Sequence, residues 1–345
     1  MQIWVWSAPF GPLYSRPMTL SEQDRWRLQH VLTDAEFSEL PGHQTGKVRE
    51  SYNLSDGRRV MIATDRQPAF DHVLAAVPDK GHVLTATAQF WFEQTADVCP
   101  NHVIAHPDPN VIIAKRLQML PVEMVVRDYI TGTTDTSIWT MYANGERTVY
   151  GHTLPEGLKK NDKLPGTLIT PTTKGAVGAH DHPITADEIV AQGLLSQAQW
   201  DEAAQKSLDL FARGRAIARE NGLILVDTKY EFGLDENGVV TIADEIHTPD
   251  SSRYWDAASY PERHAAGEEP VNLDKEFLRL WIRARCNPYT DPLPEIPDET
   301  LIEFSNKYVS LFERIAGRPF VRTDPRVPVR DRIRAALATA LPEYF

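Results

Sequence analysis

The chain has 345 residues, of which 42% are hydrophobic, and its formal net charge at neutral pH is -12. That length is ample for a large core, and the usual size of domains suggests about two domains or lobes. The acidic excess argues against a general affinity for nucleic acid or for an anionic membrane, since both require an excess of Lys and Arg. Any anionic substrate must therefore be held by local cations.

Cysteines and apolar segments exclude further classes of protein. Cys99 and Cys286 are far apart and form no CxxC pair, so the sequence indicates neither a disulfide framework nor a zinc site. No segment reaches 18 apolar residues, and the first residues lack the basic start of an export signal. We expect a cytoplasmic protein without a membrane partner.

The first chemically suggestive segment follows a short helical candidate within residues 19–42. Two alternating runs joined at Asp56-Gly57 predict a hairpin. Just before it, the segment GKVR places a flexible glycine beside Lys47 and Arg49, which suits a loop that lies over phosphate groups. In isolation a surface turn with a lysine explains this segment better. The chain contains neither a Walker A loop nor a dinucleotide fingerprint.

Two buried strands are predicted next, in VIIAKRL and LPVEMVVRDYITG. The second leads Arg127 into the loop TGTTDTS, where hydroxyls and backbone NH groups could form an anion pocket, although a plain polar turn is an equal alternative. The long segment 150–183 contains His180, Asp181 and His182. Two histidines at this spacing without a third ligand are poor zinc ligands, so we favour Asp181 as a hydrogen-bond acceptor for a substrate.

Residues 222–255 carry the strongest chemical pattern. Two runs of alternating residues broken at Asn237-Gly238 predict a hairpin with a two-residue type I′ turn, and that register places Glu231 opposite Asp244. Opposed like charges destabilise a sheet, so a cation should compensate them. Magnesium takes one or two carboxylates together with nucleotide phosphates. A solvated hairpin edge with mixed charges is the alternative interpretation.

The same predicted strand adds further charged groups. By the period-two alternation, Asp227 and Lys229 share the face of Glu231, and a second polar cluster follows at residues 248–253. The lysine could balance the acids, or it could reach a phosphate. The convergence of these groups favours a functional site over a solvated edge.

Helices are predicted on both sides of this hairpin. Thr185 with Glu188 and Ser196 with Gln199 match capping boxes, and the second begins a long helix that we interpret as scaffold. The helical tail after residue 285 offers no catalytic residue. It could pack on a lobe or on another subunit, which leaves a homo-oligomer open.

Five motifs together resemble the SAICAR synthetase family (phosphoribosylaminoimidazole-succinocarboxamide synthase) of purine biosynthesis. They are GKVRESY, VVRDYITGT, TPTTK with a following HD, LVDTKYEFG and DEIHTPDSSRYW, and they cover about residues 44–285. The resemblance implies an α+β fold, with a small β-rich N-terminal lobe similar to that of protein kinases, a larger α+β lobe, and ATP between them. The implied domains are an N-terminal extension (1–43), a nucleotide-binding lobe (44–122), a lobe with the substrate and metal site (123–285) and a C-terminal helical extension (286–345).

The resemblance also implies the reaction. An ATP-dependent ligase of this family joins the carboxylate of carboxyaminoimidazole ribonucleotide (CAIR) to the amine of L-aspartate through an acyl phosphate, giving SAICAR, ADP and phosphate. The implied residues are the nucleotide ligands Lys47, Arg49, Glu123 and Val125, the Mg²⁺ ligands Glu231 and Asp244, the substrate ligands Arg127, Thr133, Thr173, Lys174, Asp181, Asp250, Ser251 and Arg253, and the catalytic residues Lys47, Asp227 and Lys229.

The chain departs from the family pattern at Gln67-Pro68, at Gly175 and in the segment LPGTL. These departures keep two alternatives open. One is a related carboxylate-amine ligase that accepts another acid or amino acid. The other is a nucleotide-binding regulatory protein without turnover.

Overall fold

A computed structural model describes residues 19–70, 72–134, 137–174 and 182–345. It confirms the predicted α+β class, with antiparallel sheets and helices packed on them. The helices are α1 (Glu22–Gln29), α2 (Lys80–Gln94), α3 (Ile138–Ala143), α4 (Ala186–Ala191), α5 (Gln197–Glu220), α6 (Tyr260–Ala265), α7 (Glu276–Arg283), α8 (Asp298–Ala316) and α9 (Val329–Ala340). The strands are β1 (His43–Thr45), β2 (Arg49–Asn53), β3 (Arg58–Ala63), β4 (Arg66–Ala69), β5 (His72–Ala76), β6 (Val103–Asp108), β7 (Val111–Lys115), β8 (Gln118–Tyr129), β9 (Thr148–Val149), β10 (His152–Thr153), β11 (Lys163–Ile169), β12 (Thr172–Thr173), β13 (His182–Pro183), β14 (Leu223–Leu234), β15 (Val240–Ala243) and β16 (Ser252–Asp256).

The small sheet has the strand order β1-β2-β3-β7-β6 among the described residues. Its β2–β3 hairpin, which turns at Asp56-Gly57, confirms the sequence prediction. Alternation along β3 sends Val60 and Ile62 into a core that Ile333 and Leu337 of α9 complete, while Met61 lies on the opposite face. The last helix of the chain therefore stabilises the first sheet.

The large sheet has β8 and β14 at its centre. Its order is β13-β12-β8-β14-β15, with β11 also pairing with β8 and β16 with β14, all antiparallel. Helix α5 covers one face, where Leu210 and Phe211 join Leu223 and Leu225 in a shared core. Both predicted capping boxes, at the starts of α4 and α5, are confirmed.

The C-terminal helices pack on the protein's own lobes. Phe304 and Phe312 of α8 share a core with Leu84 of α2 and with Leu278 of α7. Residues before position 44, such as Leu32 and Phe37, contribute to the core of the small sheet. The predicted domain limits stay a prediction, and the described residues of both terminal segments, 19–43 and 286–345, contribute to the packed structure. In the described part of the chain, no helix has the length and apolar character needed to cross a membrane.

The predicted turn of the β14–β15 hairpin is wrong, although the hairpin itself is present. Leu234 pairs with Val240, so the loop is longer than two residues, and the register places Glu231 opposite Ala243. The Asp235 carboxylate accepts hydrogen bonds from the backbone NH groups of Asn237 and Val239, each at 2.9 Å, and so stabilises the longer loop. Asp244 follows the strand with φ at 60° and does not oppose Glu231.

Candidate active site

Strands β8 and β14 present three facing side-chain pairs on one face of the large sheet. Their register gives the pairs Arg127–Asp227, Val125–Lys229 and Glu123–Glu231. The acid opposite Glu231 is thus Glu123, and Lys229 compensates both. Its ammonium donates to Glu123 at 2.6 Å and to Glu231 at 2.8 Å. Sequence reasoning expected a cation between two opposed acids, and in the structure the chain's own lysine occupies that position.

The charges of this cluster are strongly coupled. Burial opposes ionisation of Glu231, but Lys229 and Lys174 outweigh it and lower the pKa of Glu231 to about 2. Burial also opposes the charge on Lys229, and there the charges of Glu231 and Glu123 prevail and raise its pKa. The Lys174 ammonium donates to the second oxygen of Glu231. Glu231 is therefore an anion, and Lys229 a cation, at neutral pH.

A cleft of about 690 Å³ separates the small sheet from the large one. Its cationic side chains come from the loop before β2, from β2 and β3, from the end of β7 and the residue after it, and from the residue after β12. They are Lys47, Arg49, Arg59, Lys115, Arg116 and Lys174. Its apolar side chains are Val48, Met61, Leu117, Met119 and Ala243. A ligand with an aromatic base and several phosphates matches this combination, because the base needs apolar walls and the phosphates need cations.

Glu231 and Asp244 both line this cleft. The Arg49 guanidinium donates to Asp244 at 2.9 Å and to Glu245 at 3.0 Å, which joins the small sheet to the large one. Two carboxylates match the number that Mg²⁺ takes beside water and phosphate oxygens. Within the described ranges, no group of three or more His, Cys, Asp or Glu residues converges as a metal site would require without a nucleotide.

A second pocket of about 250 Å³ lies on the same sheet face and includes most of the predicted substrate residues. Those that line it are Arg127, Thr133, Asp250, Ser251 and Arg253, and the predicted catalytic residues Asp227 and Lys229 line it as well. The Asp227 carboxylate accepts from Arg127 at 3.2 Å and from Arg253 at 2.5 Å. Since two guanidinium groups hold it, the geometry favours Asp227 as an anchor of these arginines over a proton acceptor.

Other predicted residues lie elsewhere. Glu123 and Val125 do not line the cleft, because Glu123 is bound to Lys229 and Val125 faces the second pocket. Along this part of the chain the cleft is bordered by residues 115–117 and by Met119. Thr173 lines neither pocket, and Asp181 lies outside the described residues.

Asp250 lines the second pocket, but both oxygens of its carboxylate are bound by other side chains of the protein. Lys80 of α2 donates to one oxygen at 2.6 Å, and the Tyr308 hydroxyl of α8 donates to the other at 2.7 Å. Burial opposes ionisation of Asp250, but Lys80 and Lys275 outweigh it and lower its pKa to about 2. Asp250 thus fixes the wall of the pocket, whereas the sequence predicted a substrate ligand.

Sequence reasoning missed several residues of the site. Lys80 and Tyr308 are 170 and 58 positions away from Asp250, so no local pattern indicates these contacts. Lys275 and Arg279 also line the second pocket. Their spacing of four residues in the segment DKEFLRLWIRA was a usable signal, because in a helix it places both side chains on one face.

Comparisons with known proteins indicate one family. Residues 43–296 match the family model for SAICAR synthetase. The chain is 57% identical over 307 residues to a relative from Mesorhizobium japonicum, which covers 89% of this chain and 98% of that protein. It is 53% identical over 289 residues to the phosphoribosylaminoimidazole-succinocarboxamide synthase of Legionella pneumophila strain Lens, which covers 84% of this chain and 92% of that protein. The solved structure of the SAICAR synthase from Saccharomyces cerevisiae complexed with SAICAR is similar, with a TM-score of 0.74 and 29% identity over 84% of this chain and 100% of that chain. The chain belongs to the SAICAR synthetase family.

Proposed function

We propose that this protein joins the carboxylate of CAIR to the amine of L-aspartate at the expense of ATP, giving SAICAR, ADP and phosphate. Membership of the SAICAR synthetase family supports this reaction. The structural observation that carries it is the course of β14, on which Lys229 lines the second pocket and Glu231 lines the cleft two residues later. One strand thus connects a site for a phosphorylated nucleotide with a site for an anionic acceptor.

ATP would occupy the cleft. Leu117 and Met119 offer apolar surface to the base, while Lys47, Arg49 and Lys174 offer charge to the phosphates. Lys47 is exposed, and its side chain forms no ion pair with another described residue, so it can turn toward a bound phosphate. In this proposal the base lies against residues 115–117 and Met119. The family resemblance implied Glu123 and Val125 for that role.

Magnesium would be held by Glu231 and Asp244, both at the wall of the cleft. Carboxylate oxygens suit this hard cation, and each of the two side chains is already ionically paired with a cation of the chain. When bound, the metal supplies charge that offsets the phosphate oxygens during phosphoryl transfer.

CAIR would occupy the second pocket against Arg127, Thr133 and Arg253. The Asp227 carboxylate holds both arginines in place, so their remaining donors face an anionic ligand with fixed geometry. Lys229 follows Asp227 by two residues on β14, in the direction of the cleft. It would stabilise negative charge where the two ligands meet.

The reaction then follows in two steps. A carboxylate oxygen of CAIR attacks the γ-phosphorus of ATP, and the bond to ADP breaks, which leaves an acyl phosphate. The amine of L-aspartate attacks the acyl carbon, phosphate leaves with that oxygen, and the amine loses a proton. Lys229 and Lys47 would stabilise the transferring phosphoryl group, because preorganised cations lower the energy of a charged transition state.

Both thiols of the chain are free, with Cys99 buried and Cys286 half-buried. We infer a reducing compartment such as the cytoplasm. A homo-oligomer stays a prediction.

The test is to measure ADP release and SAICAR formation by the purified protein with ATP, Mg²⁺ and CAIR, with and without L-aspartate. We expect equal amounts of ADP and SAICAR, both dependent on L-aspartate. Faster ADP release with another amino acid would assign a different amine, and ATP binding without ADP formation would assign a regulatory protein.

A further inference from the structure

A third pocket, which we call the rear pocket, lies between helix α5 and the face of the large sheet opposite to the second pocket. Neighbouring residues of a strand point to opposite faces, and accordingly Arg127 lines the second pocket while Asp128 lines the rear pocket. The volume of the rear pocket is about 630 Å³. This volume falls within the range of sites for small molecules.

Three cations line the rear pocket, namely Lys163 of β11 and Arg215 and Arg219 of α5. The acid in its wall is Asp128, and both oxygens of that carboxylate are occupied. Arg215 donates to one oxygen at 2.6 Å, and the Thr167 hydroxyl donates to the other at 2.6 Å. The rear pocket therefore has an excess of positive charge, in a chain whose formal net charge is -12.

Lys163 and Arg219 are the cations with free donors. Both side chains are exposed, and neither forms an ion pair with another residue of the described part of the chain. The other cations of α5 differ, since Lys206 and Arg213 are paired with acids, as is Arg215. Two unpaired cations at one concave surface match the charge of a phosphate group, which guanidinium and ammonium groups both bind.

Apolar side chains adjoin these cations. Ile224 comes from the start of β14, Ala216 from α5, and Ala257 follows β16. The two alanines are small and leave space beside the charged groups. A ligand that carries an organic group as well as a phosphate can therefore contact both parts of the wall.

We propose that the rear pocket binds a phosphate ester. Lys163 and Arg219 hold the phosphate, and the organic group lies against Ile224 and Ala216. The large sheet separates this site from the pocket proposed for CAIR. The inference therefore goes beyond the proposed function and does not depend on the reaction.

Equilibrium dialysis with labelled AMP tests the proposal. Saturating ADP and Mg²⁺ are present throughout, so that the cleft between the two sheets is filled. Arg219→Met and Lys163→Met should each weaken one AMP site by about tenfold to hundredfold, because each removes a charge-assisted hydrogen bond. Both side chains are exposed, so both variants should fold, which circular dichroism checks.

Matched controls remove the same charges outside the rear pocket. Arg213→Met changes another arginine of α5, whose partner is Asp97 on the surface. Lys159→Met changes another exposed lysine near β11. Neither residue lines the rear pocket. Both controls should bind AMP with the wild-type affinity and stoichiometry.

A charge introduced into the wall gives a second, independent test. Ala216→Glu places a carboxylate in the rear pocket and should abolish this AMP site by repulsion. Ala198→Glu makes the same substitution at another exposed position of α5 that lies outside the rear pocket. It should leave AMP binding unchanged.

Ribose 5-phosphate in place of AMP distinguishes two sources of the phosphate. Tighter binding of AMP assigns a nucleotide, and equal binding assigns a sugar phosphate, provided that Arg219→Met weakens either one. Equal binding of both compounds by wild type, Arg219→Met and Ala216→Glu overturns the proposal. A failure of the proposed function is distinguishable, because the protein would then form no SAICAR while this binding persists.

Discussion

The nucleotide cleft and the substrate pocket are built differently. The pocket lies on the face of the large sheet, and the charged groups at its centre hold one another, as Asp227 holds Arg127 and Arg253. The cleft is made between two sheets, and Lys47 in its loop is exposed without an ion pair to a described residue. The difference teaches that pocket residues contribute to both folding and function, whereas exposed cleft residues contribute to function alone. Four predictions test this contrast, in order of their expected effect on stability.

Asp227→Asn should have the largest effect, because it leaves two buried guanidinium groups without their shared carboxylate. Removing one partner of a buried ion pair costs about 3–5 kcal/mol of unfolding free energy. Urea denaturation followed by circular dichroism measures it. Asp97→Asn is the control, since its bridge to Arg213 lies on the surface. Equal midpoints in the two variants would contradict the description of the pocket as mutually supported.

Stability should fall in acid because of Glu231. Its folded pKa of about 2 lies below the ordinary value of 4.5, since Lys229 and Lys174 outweigh burial. A depressed folded pKa stabilises the protein above about pH 4.5, and this contribution is lost as the pH falls toward 2. The shift in the pKa of Glu231 corresponds to a contribution on the order of 3 kcal/mol to the free energy of unfolding.

Denaturation midpoints at several pH values between 5 and 2.5 measure this loss. Glu231→Gln should show a shallower decline than wild type over that window, because it has no carboxyl group to protonate there. Parallel declines would show that the two lysines do not stabilise the ionised form of Glu231.

Tyr308→Phe should have an intermediate effect. It removes the hydroxyl that donates to the Asp250 carboxylate at 2.7 Å, and a hydrogen bond to a charged group contributes about 1.5–3 kcal/mol. Because Ser251 and Arg253 follow Asp250 in the wall of the pocket, the KM for CAIR should also rise. Tyr52→Phe, which removes a buried hydroxyl from the small sheet, should lower stability without changing that KM.

Lys47→Met should have the smallest effect on stability, within about 0.5 kcal/mol, because surface substitutions away from packed features are nearly neutral. The KM for ATP should rise and the turnover number should fall, since a phosphate-binding cation is lost. Thermal denaturation and initial rates measure the two effects. A large loss of stability would place Lys47 in the folded core and contradict its assignment to the ligand.

Local patterns predicted the parts of this molecule that depend on neighbours in sequence. Alternation gave the shared face of Asp227, Lys229 and Glu231, and serine and threonine spacing gave the capping boxes of α4 and α5. The turn after β14 was wrong because the Asp235 side chain stabilises a longer loop than the Asn-Gly pair suggests.

Contacts between distant segments could not be predicted in this way. Glu123 opposes Glu231 only because β8 pairs with β14, and that pairing follows from the whole sheet. Tyr308 reaches Asp250 because α8 packs against α2, which the helical periodicity of α8 alone does not specify. The central pairs of the site were therefore partly predictable, and the residues that support them were not.

The central claim is that ATP activates the carboxylate of CAIR as an acyl phosphate. Transfer of a carboxylate oxygen from CAIR to the released phosphate tests this claim most directly. The measurement uses CAIR with ¹⁸O in its carboxylate, together with ATP, Mg²⁺ and L-aspartate, and follows the label in the released phosphate by mass spectrometry. The account predicts one labelled oxygen per phosphate formed, because the attacking carboxylate oxygen leaves with the phosphoryl group. Phosphate without label, formed together with SAICAR, would contradict activation of the carboxylate by ATP at the junction of the two pockets.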